Sequence, residues 1–177
     1  MREEIFCSGY GGQGIMFMGK LLSFCALNKN LHTTFMPTYG PEVRGGTSYC
    51  MVIISKKEIP SPYVIGADFC LVMNEPSLLR FESKVKRGGI LILNKSLINQ
   101  KPNRKDIRIL EVKATDIASS LKNIYVANMV MLGALTRYSQ LIKFKDIVQT
   151  IEQAWEKTKN DLAAVNIEAL KKGANLK

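Results

Sequence analysis

At 177 residues the chain is long enough for one sizeable hydrophobic core and short for more than one. Apolar residues at 46% and charged residues at 23% exclude a disordered or low-complexity protein, and no apolar run approaches the roughly 18–20 residues that span a bilayer. A formal charge of +10 admits an acidic partner, an acidic metabolite or nucleic acid. The lysines are scattered without the aromatic interleaving that stacks bases, which argues against nucleic acid and for a solvated surface with some steering of partners.

In chain order the segments alternate between strand and helix patterns. Glu4–Ser8 reads as a short buried strand, followed by "GYGGQGI" and a helix over Ile15–Asn28. Leu31–Thr38 and Thr47–Ser55 read as two further strands. Only about eight residues separate them, too few for the dozen or more that a parallel crossover needs, so they pair antiparallel. "KKEIPSPYVIG" is loop, with two prolines and a glycine. Ala67–Met73 is a strand, followed by a helix from about Pro76 to Lys86. Gly89–Leu93 and Ile107–Val112 complete the strands, and helices cover Asp116–Lys122, Tyr125–Ser139 and, as one or two segments, Asp146–Lys172. The expected fold is a single α/β domain over residues 1–177. It is a three-layer, Rossmann-like, mixed and mostly parallel sheet with helices on both faces and a helical C-terminal region. An N-terminus without a charged-then-apolar leader reads as cytoplasmic.

Gly9, Gly11 and Gly14 have the spacing G-x-G-x-x-G between a strand and a helix, with Gly12 and Gln13 inside it. Glycines there permit a positive φ, a close approach of backbone to phosphate and tight helix–strand packing, while the helix N-terminus offers amides to an anion. The acidic residue that would bind a ribose about twenty residues on is missing: "LHTTFMPTYG" holds neither Asp nor Glu. A conventional dinucleotide site and a tight turn without a ligand both stay open.

The second loop, "TYGPEVRGG", is stiffened by Pro41, which drives Gly40 out of the helical region, and re-enters a strand through Gly45 and Gly46. Glu42 and Arg44 sit between these rigid ends, beside Tyr39. "NEPS" follows the fourth strand, with Asn74 placed to cap the next helix. If the first, second and fourth strands run parallel, all three loops open on one sheet edge, where α/β proteins bind ligands. The alternative for the second loop is a hairpin connection with solvated charges. Cys7, Cys25, Cys50 and Cys70 lack metal-ligand spacing and read as small hydrophobes of a reduced core; His32 reads as structural. Met16, Phe17, Met18, Phe35, Met36, Tyr39 and Tyr49 cluster around the motifs and would mark an interface if exposed together.

"GYGGQGI", "YGPEVRGG" and "ADFCLVMNEPSL", together with "NMVMLGAL" at Asn128–Leu135, resemble the gamma subunits of 2-oxoacid:ferredoxin (acceptor) oxidoreductases. The resemblance runs from about Ile5 to Leu141 and is strongest to the 2-oxoglutarate branch, with pyruvate and 2-oxoisovalerate enzymes as near alternatives. It implies a multisubunit enzyme that decarboxylates a 2-oxoacid oxidatively, passes the acyl group to coenzyme A and reduces ferredoxin, flavodoxin or a similar acceptor. It also implies partner alpha, beta and ferredoxin-like delta chains, which hold thiamine diphosphate, Mg and iron–sulfur clusters, and a gamma chain inactive alone that holds no cofactor by itself. On this reading Gly9, Gly11, Gly12, Gln13, Gly14 and Arg44 face a phosphate of coenzyme A or a partner chain. Tyr39, Gly40, Pro41, Glu42, Gly45, Gly46, Asn74 and Asn128 shape the site or the interface. The isolated chain is expected to be able to self-associate. A stand-alone nucleotide-binding oxidoreductase and a basic nucleic-acid binder are the competing classes.

Overall fold

A computed structural model of the chain describes residues 1–38, 47–155 and 161–176. Its centre is a six-stranded sheet in the order β2-β3-β1-β4-β5-β6, built from β1 (Arg2–Gly9), β2 (His32–Thr38), β3 (Ser48–Ser55), β4 (Ala67–Val72), β5 (Val85–Asn94) and β6 (Arg108–Val112). β1, β4, β5 and β6 pair in parallel, whereas β3 runs antiparallel to both β1 and β2. The mixed, mostly parallel sheet expected from the sequence is present, including the antiparallel junction of β2 and β3. Central strands are buried on both faces, which is why "CMVIIS" and "ILIL" read as continuous apolar runs.

Side-chain alternation divides the core in two. Ile5, Cys7, Cys50, Val52, Phe69, Leu71 and Ile92 face one side, packed against α1 (Ile15–Asn28), α3 (Ala114–Ser120) and α4 (Ala127–Thr136). Phe6, Met51, Ile53, Cys70, Val72, Leu91 and Leu93 face the other, covered by α2 (Glu75–Phe81) and the loop carrying Ile59 and Val64. The helical C-terminal region is an outer cover on the first side: α5 (Phe144–Trp155) packs on α1, and α6 (Asp161–Ala174) on α4. Every residue of α4 is buried, so its sequence "ANMVMLGALT" is apolar nearly all round rather than striped.

The helix expected over Pro76–Lys86 is shorter. α2 ends at Phe81, Glu82–Lys84 form a 3-10 turn, and Val85 and Lys86 already belong to β5. Two polar links impose this ending. Buried Glu82 accepts hydrogen bonds from the Asn103 and Arg104 amides, and the Lys86 ammonium is drawn to Glu4 (2.8 Å) and Asp68 (3.0 Å) at the start of β1 and β4.

α4 and α6 cross at glycines on both sides. A Cβ at Gly133 would lie 2.0 Å from the Leu170 carbonyl oxygen, and one at Gly173 would lie 1.9 Å from that of Val130. Replacing a helix-interior glycine by alanine ordinarily gains about 1 kcal/mol of propensity. Here the backbone clash outweighs that gain, because neither carbonyl can move without disturbing its helix. Gly173→Ala is expected to destabilise the fold by about 1–3 kcal/mol, measured as a lower urea midpoint with an unchanged slope.

Candidate functional site

The carboxyl ends of β1, β2 and β4 share one edge of the sheet, and because β3 runs the other way its start meets them there: Ser48 pairs with Gly9 and Tyr49 with Thr38. At that edge β1 leads into α1 on one face of the sheet, while its parallel neighbour β4 leads into α2 on the other. Two connections that diverge to opposite faces open a crevice between them, the ligand position of open α/β sheets. "GYGGQG" and "NEPS" therefore open on one sheet edge, as the sequence predicts, and stand on the two lips of one crevice. Tyr39, Gly40, Pro41, Glu42, Arg44, Gly45 and Gly46 lie outside the described residues.

Gln13 spans the crevice. Its Oε1 accepts from the Tyr10 amide (2.7 Å) and, at 3.4 Å, from the Asn74 side-chain amide, while its Nε2 donates to the Met73 carbonyl at 3.5 Å. Asn74 in turn caps α2, its Oδ1 accepting from the Ser77 amide at 2.9 Å. Asn128, buried in the first turn of α4, accepts from the Met129 amide (2.8 Å) and donates to the Gly14 carbonyl (3.5 Å). One Gln and two Asn side chains thus tie the glycine turn to α2 and to α4.

The glycines have separate uses. Gly9 has no room for a side chain, with Gln13 Oε1 2.6 Å from its would-be Cβ. Gly14 combines φ +74° with a would-be Cβ only 2.1 Å from the Asn128 amide nitrogen. Gly12, at φ +90°, has nothing within 4 Å of that position, so it is the bare point of the turn, where a ligand or partner backbone can approach. α1 starts directly behind it without a side-chain cap, which leaves its first-turn amides for solvent or an anion.

Sequence reasoning missed the other wall. Gly12 and Gln13 border a cavity of about 170 Å³ whose remaining lining includes Leu97, Thr115, Ile124 and Tyr125. Ligand pockets for a whole small molecule measure about 300–1,000 Å³, so this one accepts a single ring or arm rather than an entire dinucleotide. Leu97, Ile124 and Tyr125 are exposed, and Tyr125 is 76% so. Asn94, fully buried at the end of β5, fixes this wall by donating to the Thr115 hydroxyl (2.9 Å) and accepting from its amide (3.4 Å). A polar residue closing the run "ILILN" was the available signal.

Among the described residues, the aromatic and methionine side chains near the motifs do not form one exposed surface. Met18 is buried, Met16, Phe35, Met36 and Tyr49 are half-buried, and Phe17 lies at the surface. Tyr49 is held between Phe6 and Phe81 with the Arg80 guanidinium 5.1 Å from its ring. The cysteines are buried. The hydrogen bond with Cys50, and then burial, push the Cys7 thiol well up; burial raises Cys70 and takes Cys25 to about 11. These three thiols stay protonated at neutral pH and are poor nucleophiles and ligands. Cys7 and Cys50 face one side of the sheet and Cys70 the other, so they do not fit an iron–sulfur cluster, and among the described residues no group of three His, Cys, Asp or Glu could hold a metal ion.

Fold and edge together define an open α/β protein with a polar-latched crevice and an apolar rim. The model of the pyruvate ferredoxin/flavodoxin oxidoreductase family matches residues 4–176, and the chain belongs to that family. It is 36% identical over 154 residues to the 2-oxoglutarate synthase subunit KorC of Methanocaldococcus jannaschii, covering 85% of this chain and 82% of that one. It is 38% identical over 128 residues to the ketoisovalerate oxidoreductase subunit VorA of Methanothermobacter marburgensis, covering 72% of this chain but about a quarter (27%) of that longer one. The crystal structure of the keto/oxoacid ferredoxin oxidoreductase gamma subunit from Geobacter sulfurreducens PCA superposes with a TM-score of 0.85 at 23% identity, over 98% of this chain and 94% of that one.

Gly14→Ala is expected to lower stability by about 2–4 kcal/mol, the sum of left-handed backbone strain and the clash with Asn128. In an Asn128→Ala background the same change should cost only about 1–2 kcal/mol, since the clash is gone; a urea-melt double-mutant cycle measures the difference. For Cys25 the folded state holds its proton more tightly than the unfolded state, so the stability it contributes is full below the ordinary value of 9.0 and lost as pH rises through about 11. Stability measured across that window should fall with pH, and less steeply in Cys25→Ala.

Proposed function

We propose that this chain is the gamma-type subunit of a multisubunit 2-oxoacid:acceptor oxidoreductase, with 2-oxoglutarate as the favoured substrate, forming acyl-CoA, CO2 and a reduced ferredoxin or similar acceptor. The observation that carries this reading is the near full-length match to KorC combined with a latched glycine turn on an exposed apolar rim. The chain completes the site and the assembly. Its alpha, beta and ferredoxin-like delta partners hold the thiamine diphosphate with its Mg ion and the iron–sulfur clusters, and the cytoplasm is its compartment.

Gly12 and the start of α1 present backbone amides to an anionic group, a coenzyme A phosphate or a partner's backbone. Arg44 pairs with a coenzyme A phosphate, a substrate carboxylate or a subunit acid, each of which suits its planar fork. Glu42 orients Arg44 or a partner chain. Tyr39, Gly40, Pro41, Gly45 and Gly46 shape the site or the interface with a partner chain, while Asn74 and Asn128 brace the glycine turn from either side. The thioester chemistry itself belongs to groups on the other chains.

A self-sufficient nicotinamide enzyme is the weaker reading. β2, "HTTFMPT", carries no acid for a ribose, and Gln13 bridges the crevice where a pyrophosphate would lie.

Reconstitution from the four chains tests the proposal. Omitting this one should abolish coenzyme A-dependent reduction of ferredoxin by 2-oxoglutarate. Arg44→Ala should lower kcat/KM for coenzyme A by about 10–100-fold, the loss of one charge-assisted hydrogen bond, with assembly intact. Unchanged turnover and coenzyme A dependence would remove Arg44 from the site, and nucleotide reduction by this chain alone would overturn the subunit reading.

A further inference from the structure

The edge of the sheet opposite the crevice, where the parallel strands begin, carries unbalanced charge. Its carboxylates are almost all engaged. Glu3 is buried on Ser139, Gln140 and Leu141, and Glu82 on the Asn103 and Arg104 amides. Glu4 pairs with Arg2 and Lys86, Asp68 with Lys86, and Asp106 with Arg104 at 2.6 Å. Only Glu58 stands exposed without an ion pair among the described residues of this edge. Cations are in excess. Lys56, Lys57, Lys84 and Lys105 are exposed, and none has an ion-pair partner among the described residues. Arg87 is exposed too, and its charge falls on Asp106, which Arg104 already binds.

Two large apolar side chains stand among these cations. On the loop leading into β4, Tyr63 is 61% and Ile65 87% exposed, while Val64 between them is buried in the core under α2. Val64 pins the loop and its neighbours are held outward. A Cβ at Gly66 would lie 3.1 Å from Lys86 Cγ and 3.8 Å from the Lys84 carbonyl oxygen, which sets Ile65 beside the start of β5. The Gly88 amide, bonded to the Asp106 carbonyl at 2.9 Å, joins that segment to Lys105. A solvated face intersperses both signs of charge; an apolar centre within a polar rim is the anatomy of an interface. A second copy does not fit this edge, because it would set the same cations against one another. Nucleic acid fits poorly as well, since one tyrosine makes no stacking platform and Ile65 offers nothing to a base. We propose that this edge is a docking surface for the acidic face of another protein, with Tyr63 and Ile65 as its apolar centre and Lys56, Lys57, Lys84, Arg87 and Lys105 around them. The docking does not depend on the activity proposed above, and it leaves the crevice at the other edge open.

The test is calorimetric titration of the purified full chain, at low salt, with two acidic peptides of about 20 residues. One is all glutamate and the other carries leucine at every fourth position. The leucine-bearing peptide should bind about 3–10-fold more tightly, and the double variant Tyr63→Ser, Ile65→Ser should remove that advantage. Lys84→Glu with Lys105→Glu should weaken either peptide by about 10-fold or more. Lys171→Glu with Lys172→Glu makes the same change of net charge on α6 and should cost less than about 2-fold. Far-UV circular dichroism should stay at its wild-type form in all of them, because every altered side chain is exposed. Amide NMR shifts should place the peptides on residues 56–66, 84–88 and 104–106. Absence of binding, shifts centred elsewhere, equal losses in the two charge-reversed pairs, or a leucine advantage that is missing or survives without Tyr63 and Ile65 would overturn the proposal. So would a duplex DNA that binds the same residues more tightly than either peptide.

Discussion

The position of β1 constrains everything else in this molecule. It is buried on both faces, with a partner of opposite direction on one side, β3, and of the same direction on the other, β4. Its own exit must turn to one face, and the exit of β4 turns to the other. The crevice between them follows from connectivity and needs no special side chain to create it. Side chains decide only what fills it, and here Gln13 does so by satisfying the Tyr10 amide and reaching for Met73 and Asn74. The glycines at positions 9 and 14 exist to let that latch and the Asn128 brace come close, whereas Gly12 is the one left bare.

Polar groups inside the fold act as ties between distant segments. Glu3, buried near the start of β1, accepts from the Ser139 hydroxyl at 2.6 Å and from the Gln140 and Leu141 amides at 2.6 and 3.3 Å. Those bonds join the beginning of the first strand to the junction between α4 and α5. A buried carboxylate without them would carry its full desolvation penalty, so the link is obligatory once the strand is in place. Lys86 works similarly at the same end of the sheet. Partial burial pulls its ammonium down, but Glu4 and Asp68 more than reverse this and hold it above its ordinary value. With the Lys86 side chain 42% exposed, solvent screens these ion pairs, and they set geometry more than stability.

The layering shows where energy is concentrated. α4 lies between the sheet and α6, touching α1 and α3 as well, and exposes almost nothing. Its crossing with α6 is so close that glycine is required on both helices. The family relationship fits this architecture. Relatives such as VorA carry the same unit within a chain nearly four times its aligned length, and a unit with its own complete core can be joined to others or stand apart without refolding.

Period-two and period-3.6 patterns were legible in particular stretches: "TSYCMVIIS" could only be a buried strand, the short gap before it forced an antiparallel pair, and "IMFMGKLLSFCALN" had to be a helix. The end of α2 was not legible, because Val85 and Lys86 look helical until Glu4 and Asp68, more than sixteen residues away in sequence, claim the lysine. The glycine turn announced itself by spacing; its latch did not, since Gln13 lies 60 and 61 residues from Met73 and Asn74. Local spacing therefore determined which elements form and that one loop is special. Only the tertiary structure decided which side chains close the crevice, that Asn94, Leu97, Ile124 and Tyr125 build its other wall, and that Met18 is buried while Met16 and Met36 stay half-buried. The physical reason is that strand order and face assignment are set by packing between remote segments, and no local pattern carries that information.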